Sequence, residues 1–136
     1  MKYFLDTSSW IKRYSGEEGF EKIDDLIKNE EIIIYDLEIT ELISNLYRLY
    51  NENYLTKDDL NATINIVYQD LSNMLIIKHN DKHIIDFGIL CNKMRQTPID
   101  GMIILLAKDI EEVVIVTSDE RLKKGAELEN IEVKVV

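Results

Sequence analysis

Lys2-Tyr-Phe-Leu-Asp6-Thr-Ser-Ser-Trp-Ile-Lys12 is the stretch on which the fold of this chain turns. Its apolar run, Tyr3 to Leu5, is short and stops abruptly at Asp6. Three hydroxyl residues and a helix-like segment follow. In an open parallel sheet, a carboxylate at the C-terminal end of a strand points into the ligand crevice, so Asp6 is a candidate site residue. Ser8 or Ser9 is the expected cap of the helix that follows. Trp10 and Ile11 should pack, while Lys12 and Arg13 should face outward.

Outward from that stretch, strand and helix patterns alternate. Phe20, Ile23, Leu26 and Ile27 recur at helical spacing, which predicts a helix over Gly19 to Asn29. Glu31 to Tyr35 carries Ile-Ile-Ile-Tyr, the β-branched run of a buried parallel strand. Asp36 is the expected cap of a helix from Leu37 to Tyr50, whose apolar stripe is Ile39, Leu42, Ile43, Leu46 and Tyr50. Glu41 lies early in that helix. Thr56-Lys-Asp-Asp59 has the form of a capping box and opens a helix through Leu71, so Leu37 to Ser72 forms a helical hairpin between strands. Met74 to Lys78 is a third strand, Asp81 to about Arg95 a helix. After the break at Pro98, Asp100 opens a helix so apolar over Met102 to Ala107 that it must be central. Val113 to Thr117 is the fourth strand, Ser118-Asp119 starts a short helix, and Glu132 to Val136 is the last strand. Such alternation predicts an α/β fold, three layers with a central, mainly parallel sheet and right-handed crossovers.

Composition narrows the function classes. The 136 residues are expected to form one domain, and 46% hydrophobic with 31% charged residues fits a globular protein. No apolar run reaches the length of a membrane span, and no secretory signal stands at the N-terminus, so a cytoplasmic location is expected. The single cysteine, Cys91, fits a reducing compartment and reads as a small packed side chain. A net charge of −10 argues against gripping nucleic acid with a broad basic face. It leaves room for a nuclease, because clustered carboxylates that hold cations make a chain acidic on paper. Glu17-Glu18 and Glu111-Glu112 read as solvated surface.

Four acids share a pattern. Asp6 and Asp119 follow strands, Asp100 precedes the buried helix, and Glu41 follows the second strand by less than two turns. Singly each has a plain explanation: Asp100 and Asp119 as helix caps, Glu41 as an ordinary helix residue, Asp6 as a strand end. Together at one end of a sheet they would repel one another and call for a hard divalent ion with oxygen ligands. One or two such ions can activate water for an in-line displacement at phosphorus.

Four ordered motifs carry a resemblance: Tyr3-Phe-Leu-Asp-Thr-Ser-Ser-Trp-Ile-Lys12, Ile39-Thr-Glu-Leu-Ile-Ser44, Pro98-Ile-Asp-Gly-Met-Ile-Ile-Leu-Leu-Ala107 and Val116-Thr-Ser-Asp-Glu-Arg-Leu122. Along essentially its whole length the chain resembles PIN-domain ribonucleases, especially VapC-type toxins of VapBC toxin–antitoxin pairs. The resemblance implies a metal-dependent endoribonuclease using Mg2+ or Mn2+, held by Asp6, Glu41, Asp100 and Asp119 with support from Thr7 and from Thr117 or Ser118. It implies an RNA substrate cut to 5′-phosphate and 3′-hydroxyl ends, a cognate antitoxin whose basic side chain approaches the acids, and a homodimer. Leu49, Tyr50 and Tyr54 are the expected exposed apolar surface. Glu38, one turn before Glu41, competes for its role. Gly101 departs from the family, which often carries alanine there.

Other features weigh less. His79 and His83, four apart, suit a surface or capping role better than zinc. Lys12, Arg13, Arg95, Arg121, Lys123 and Lys124 flank the motifs and could reach RNA phosphate. Two rival readings stand beside the nuclease. A catalytically silent PIN-like interaction domain would lack a working acid set. A receiver-like signalling module would need paired acids after the first strand and a lysine after a late one, where this chain has Asp6 alone and Thr117-Ser118-Asp119.

Overall fold

The computed structural model describes residues 1–136. In chain order the elements are β1 (Lys2–Leu5), α1 (Thr7–Trp10), α2 (Lys12–Ser15), α3 (Phe20–Asn29), β2 (Glu31–Tyr35), α4 (Asp36–Asn51), α5 (Lys57–Leu71), β3 (Leu75–Ile77), α6 (Asp81–Lys93), α7 (Pro98–Lys108), β4 (Val113–Thr117), α8 (Glu120–Leu128) and β5 (Glu132–Val135). All five strands are parallel, in the order β3-β2-β1-β4-β5. The chain builds outward from β1 to β3 on one side, then returns beside β1 with β4. That reversal puts a topological switch point between β1 and β4, where open α/β sheets bind ligands.

Because successive strand residues point to opposite faces, the continuous apolar strands feed two cores. Phe4, Ile33, Tyr35, Val113 and Ile115 pack with Leu90 of α6, Ile103 to Ala107 of α7 and Leu122 and Ala126 of α8. Leu5, Ile32, Ile34 and Val116 pack on the other side with Trp10, Ile23, Leu26, Leu42, Leu46, Leu60, Val67 and Leu71 from α1, α3, α4 and α5. This is the three-layer α/β fold with a central parallel sheet. The strongly apolar α7 is buried along Ile103 to Ala107, as its composition requires.

Several local expectations change. Asp6, not Ser8 or Ser9, caps α1: its carboxylate accepts from Ser9 N–H. Thr97 caps α7, with Pro98 in the first turn, where its missing N–H costs nothing, so Asp100 lies inside the helix. At α4, Asp36 is the first helical residue and Tyr35 the cap, its N–H donating to the Glu38 carboxylate. Leu49 and Tyr50 are not free surface; both are half-buried against the second core, while Tyr54 is 73% exposed. His79 lies before α6, not on it, and hydrogen-bonds Tyr35. His83 takes the expected capping role, buried in the α6 capping box, and reaches Asp109 at 2.6 Å. Gly101 is explained by packing: a methyl group there would meet the Phe87 ring. No helix is long and apolar enough to cross a membrane.

Candidate active site

Asp6 sits where β1 ends against β4. Its N–H donates to Val116 O, extending the β1–β4 ladder by one residue. One carboxylate oxygen accepts from Ser9 N–H at 2.9 Å; the other accepts from Ser8 Oγ at 2.7 Å and Thr117 Oγ1 at 2.5 Å. Ser9 Oγ in turn donates to Asp6 O and Val116 O. The hydroxyl run therefore stitches the two strand ends together across the switch point. That is why a short strand followed by Asp-Thr-Ser-Ser can hold a buried carboxylate still.

On the β4 side, Thr117 Oγ1 accepts from Asp119 N–H, and Ser8 Oγ accepts from Ser118 N–H. Asp119 caps α8 with a single oxygen, which accepts from Arg121 and Leu122 N–H. The capping and site readings of Asp119 are thus compatible. Ser118 Oγ is buried without a hydrogen-bond partner.

These residues open onto a cleft of about 460 Å³. The four sequence-predicted acids, from four separate segments, all line it: Asp6, Glu41 of α4, Asp100 of α7 and Asp119. Thr7, Ser8 and Ser118 line it too, but the Thr7 hydroxyl points to Glu38 Oε1 at 3.4 Å. Glu38 does not line the cleft. It is wholly buried, its other oxygen accepting from Tyr35 N–H at 2.9 Å. Glu41 therefore faces the cleft, and Glu38 braces the β2–α4 corner behind it.

The electrostatics of the cleft are unbalanced. No salt bridge reaches any of the four acids. Burial pushes Asp6 above the ordinary carboxylate range, against the pull of its Thr117, Ser8 and Ser9 hydrogen bonds. Burial, then repulsion from Asp6, Asp119 and Glu41, raises Asp100 to about 6. Burial also lifts Glu38 well above its usual value, helped by Asp6 and Glu41. Like charges held together in a desolvated site want a cation. An all-oxygen carboxylate set suits a hard divalent ion. As the side chains stand, no three of them meet closely enough to enclose one.

Asn45, Arg48 and Thr97 of the lining went unnoticed in the sequence. Asn45 and Arg48 follow Glu41 at four and seven residues, the spacing of one helix face, and both line the cleft with Ile11, Lys12, Glu17 and Thr97. Glu17 thus belongs to the rim, although its sequence neighbourhood reads as plain surface. Arg13, expected to face outward, is bound to Asp70 and Asp24. Its guanidinium is committed to a structural network among α2, α3 and α5.

The sequence matches the family model described as PIN domain over residues 3–128. No curated protein matches it. Its structure is similar to VapBC2 from Rickettsia felis bound to a DNA fragment from their promoter, with 20% identity and a TM-score of 0.69 over 99% of this chain and 98% of that one. DNA-bound VapBC from Salmonella typhimurium gives 18% and 0.69 over 99% and 98%. FitAcB from Neisseria gonorrhoeae gives 14% and 0.64 over 96% and 95%. Identities this low establish a shared fold.

Proposed function

Because the chain belongs to the PIN-domain family, we propose that it is a divalent-metal-dependent endoribonuclease, the toxin of a type II toxin–antitoxin pair. The observation that carries the reading is the convergence of Asp6, Glu41, Asp100 and Asp119 on one cleft with no cation paired to them. Those four residues would hold Mg2+ or Mn2+. When bound, the ion lowers the pKa of water and stabilises negative charge on the phosphate. Asp6 is fixed by its hydroxyl network, and Asp119 keeps one oxygen clear of its capping bonds. Both histidines lie outside the cleft lining, so no imidazole base is used. Water attacks phosphorus, the bond to the 3′ oxygen breaks, and 5′-phosphate and 3′-hydroxyl ends result without a covalent enzyme intermediate.

The similarity to VapBC and FitAcB structures supports an antitoxin as partner. A basic antitoxin side chain in the acid-lined cleft would supply the missing positive charge. A homodimer is the proposed assembly, and Ile84, Ile85 and Ile89 of α6, each more than half exposed, are side chains such an assembly could cover. A strict monomer in solution scattering at high concentration would count against it. The activity is tested by cleavage of a labelled structured RNA with Mg2+ or Mn2+ and with excess chelator, followed by analysis of the product ends. Chelator should abolish cleavage; full activity in chelator removes the metal mechanism.

A further inference from the structure

The acid-lined cleft has a second wall, and its chemistry is different. Glu41, Asn45 and Arg48 lie along one face of α4 and all border the cleft. From Glu41 to Arg48 is about 10 Å along the helix axis. Arg48 is exposed and forms no ion pair, although the chain holds 26 acids to 16 lysines and arginines. In so acidic a protein an unpaired guanidinium at the mouth of a carboxylate cleft stands out. The other cation of the lining, Lys12, is committed: its ammonium donates to the main-chain oxygens of Glu18 and Val136. Arg48 is therefore the cation of this cleft left free for a ligand.

The rest of the lining narrows the ligand. It contains no aromatic side chain, and Ile11 is its only apolar residue. Bases of single-stranded RNA are gripped by stacking on aromatic faces, and nothing here offers one. A guanidinium with a neighbouring carboxamide suits phosphate, to which arginine presents a planar fork of donors. Two turns along the helix from Glu41, that fork is placed for a phosphate next to the one being cut.

We infer that Arg48, with Asn45 beside it, anchors an RNA phosphate neighbouring the scissile one and so sets which bond enters the acid cluster. This rests on the nuclease reading and deepens it. Arg48 acts on substrate placement, so its loss falls on KM more than on kcat.

The test is cleavage of total cellular RNA by wild type, Arg48→Ala, Arg48→Lys and Arg48→Glu with Mn2+ over a range of salt concentrations, with melting curves to establish folding. The expected kcat/KM falls about tenfold in Arg48→Ala and further in Arg48→Glu. Arg48→Lys recovers part of it. The loss lies in KM, and the slope of log(kcat/KM) against log[salt] becomes shallower by about one. Unchanged kcat/KM and salt slope in Arg48→Ala overturn the proposal while leaving the nuclease reading intact, and point to a protein partner's acid as the ligand of Arg48. A loss confined to kcat also overturns it. No cleavage by the wild type removes the nuclease reading and this inference with it.

Discussion

Asp70 and Asp6 are both nearly sealed from solvent, 8% and 1% exposed, yet their surroundings are opposite. Asp70 receives two guanidinium bonds from Arg13, at 2.5 and 2.9 Å, and the Tyr14 hydroxyl at 2.7 Å. Asp24 completes the network on the far side of Arg13. Carboxylate neighbours hold the Arg13 guanidinium charged, chiefly through the Asp70 hydrogen bond; Tyr14 is held protonated by burial and by Asp70. Asp6 receives only neutral donors and has Glu38, Glu41, Asp100 and Asp119 for company. A buried charge whose partner comes from the same chain ties elements together, here α2 and α3 to α5. A buried charge whose partner is missing is a candidate site, and here the proposed partner is a cation.

Exchanging stability for activity between the two regions should break the comparison if it is wrong. Asp6→Asn should lower RNA cleavage at least about 100-fold and change folding stability little, because the Ser8 and Thr117 hydroxyls can turn to accept from the new amide. Asp70→Ala should do the reverse. It leaves Arg13 with Asp24 alone and the Tyr14 hydroxyl without its acceptor, and costs about 3 kcal/mol in denaturant unfolding, while the folded fraction keeps its kcat. Loss of cleavage without loss of stability in Asp70→Ala would erase the distinction.

Much of this contrast was legible in the sequence on one side only. Asp6, Glu41, Asp100 and Asp119 could be placed at one end of the sheet because each is tied to the end of a strand or the start of a buried helix, and parallel topology brings those ends together. The Ile-Ile-Ile-Tyr strand and the Met102 to Ala107 helix were equally plain from their unbroken apolar runs. Arg13 was not legible, since its partner Asp70 lies on a helix far along the chain and no local pattern joins them. Arg48 and Asn45 were missed for another reason: they share the Glu41 face at helical spacing, but polar residues on a half-exposed helix look alike until a cleft distinguishes them. The capping of α1 by Asp6 was hidden because Ser8 and Ser9 offered themselves as caps, and tertiary contacts to Thr117 and Val116 took them.

Smaller effects sharpen the same contrast. Asp100 has an ordinary value of 3.8 raised to about 6. The folded protein thus binds more protons than the unfolded chain between those values. Stability from this group is fully present below about pH 4, is lost as pH rises through about 6, and is flat above. Asp100→Asn should therefore raise metal-free stability at pH 7 by about 1 kcal/mol after allowing for solvent screening and remove that pH dependence, while impairing cleavage. Equal pH profiles for the two proteins would show that Asp100 is not strained by its neighbours. Away from the charges, Gly101→Ala forces a methyl group into the Phe87 ring and should cost about 1–2 kcal/mol. Phe87→Leu in the same chain should recover part of that loss in thermal melts.

The central claim, that the cleft acids lack only a cation, is tested most directly by calorimetric titration of the metal-free protein with Mn2+, without RNA, at pH 8 and pH 5. Protonation of Asp100 competes with the ion below about 6, so saturable binding is expected at pH 8, weaker binding at pH 5, and none at either pH in the Asp6→Asn, Asp100→Asn double variant. Absence of saturable binding at pH 8, or binding by the double variant equal to that of wild type, would contradict the account.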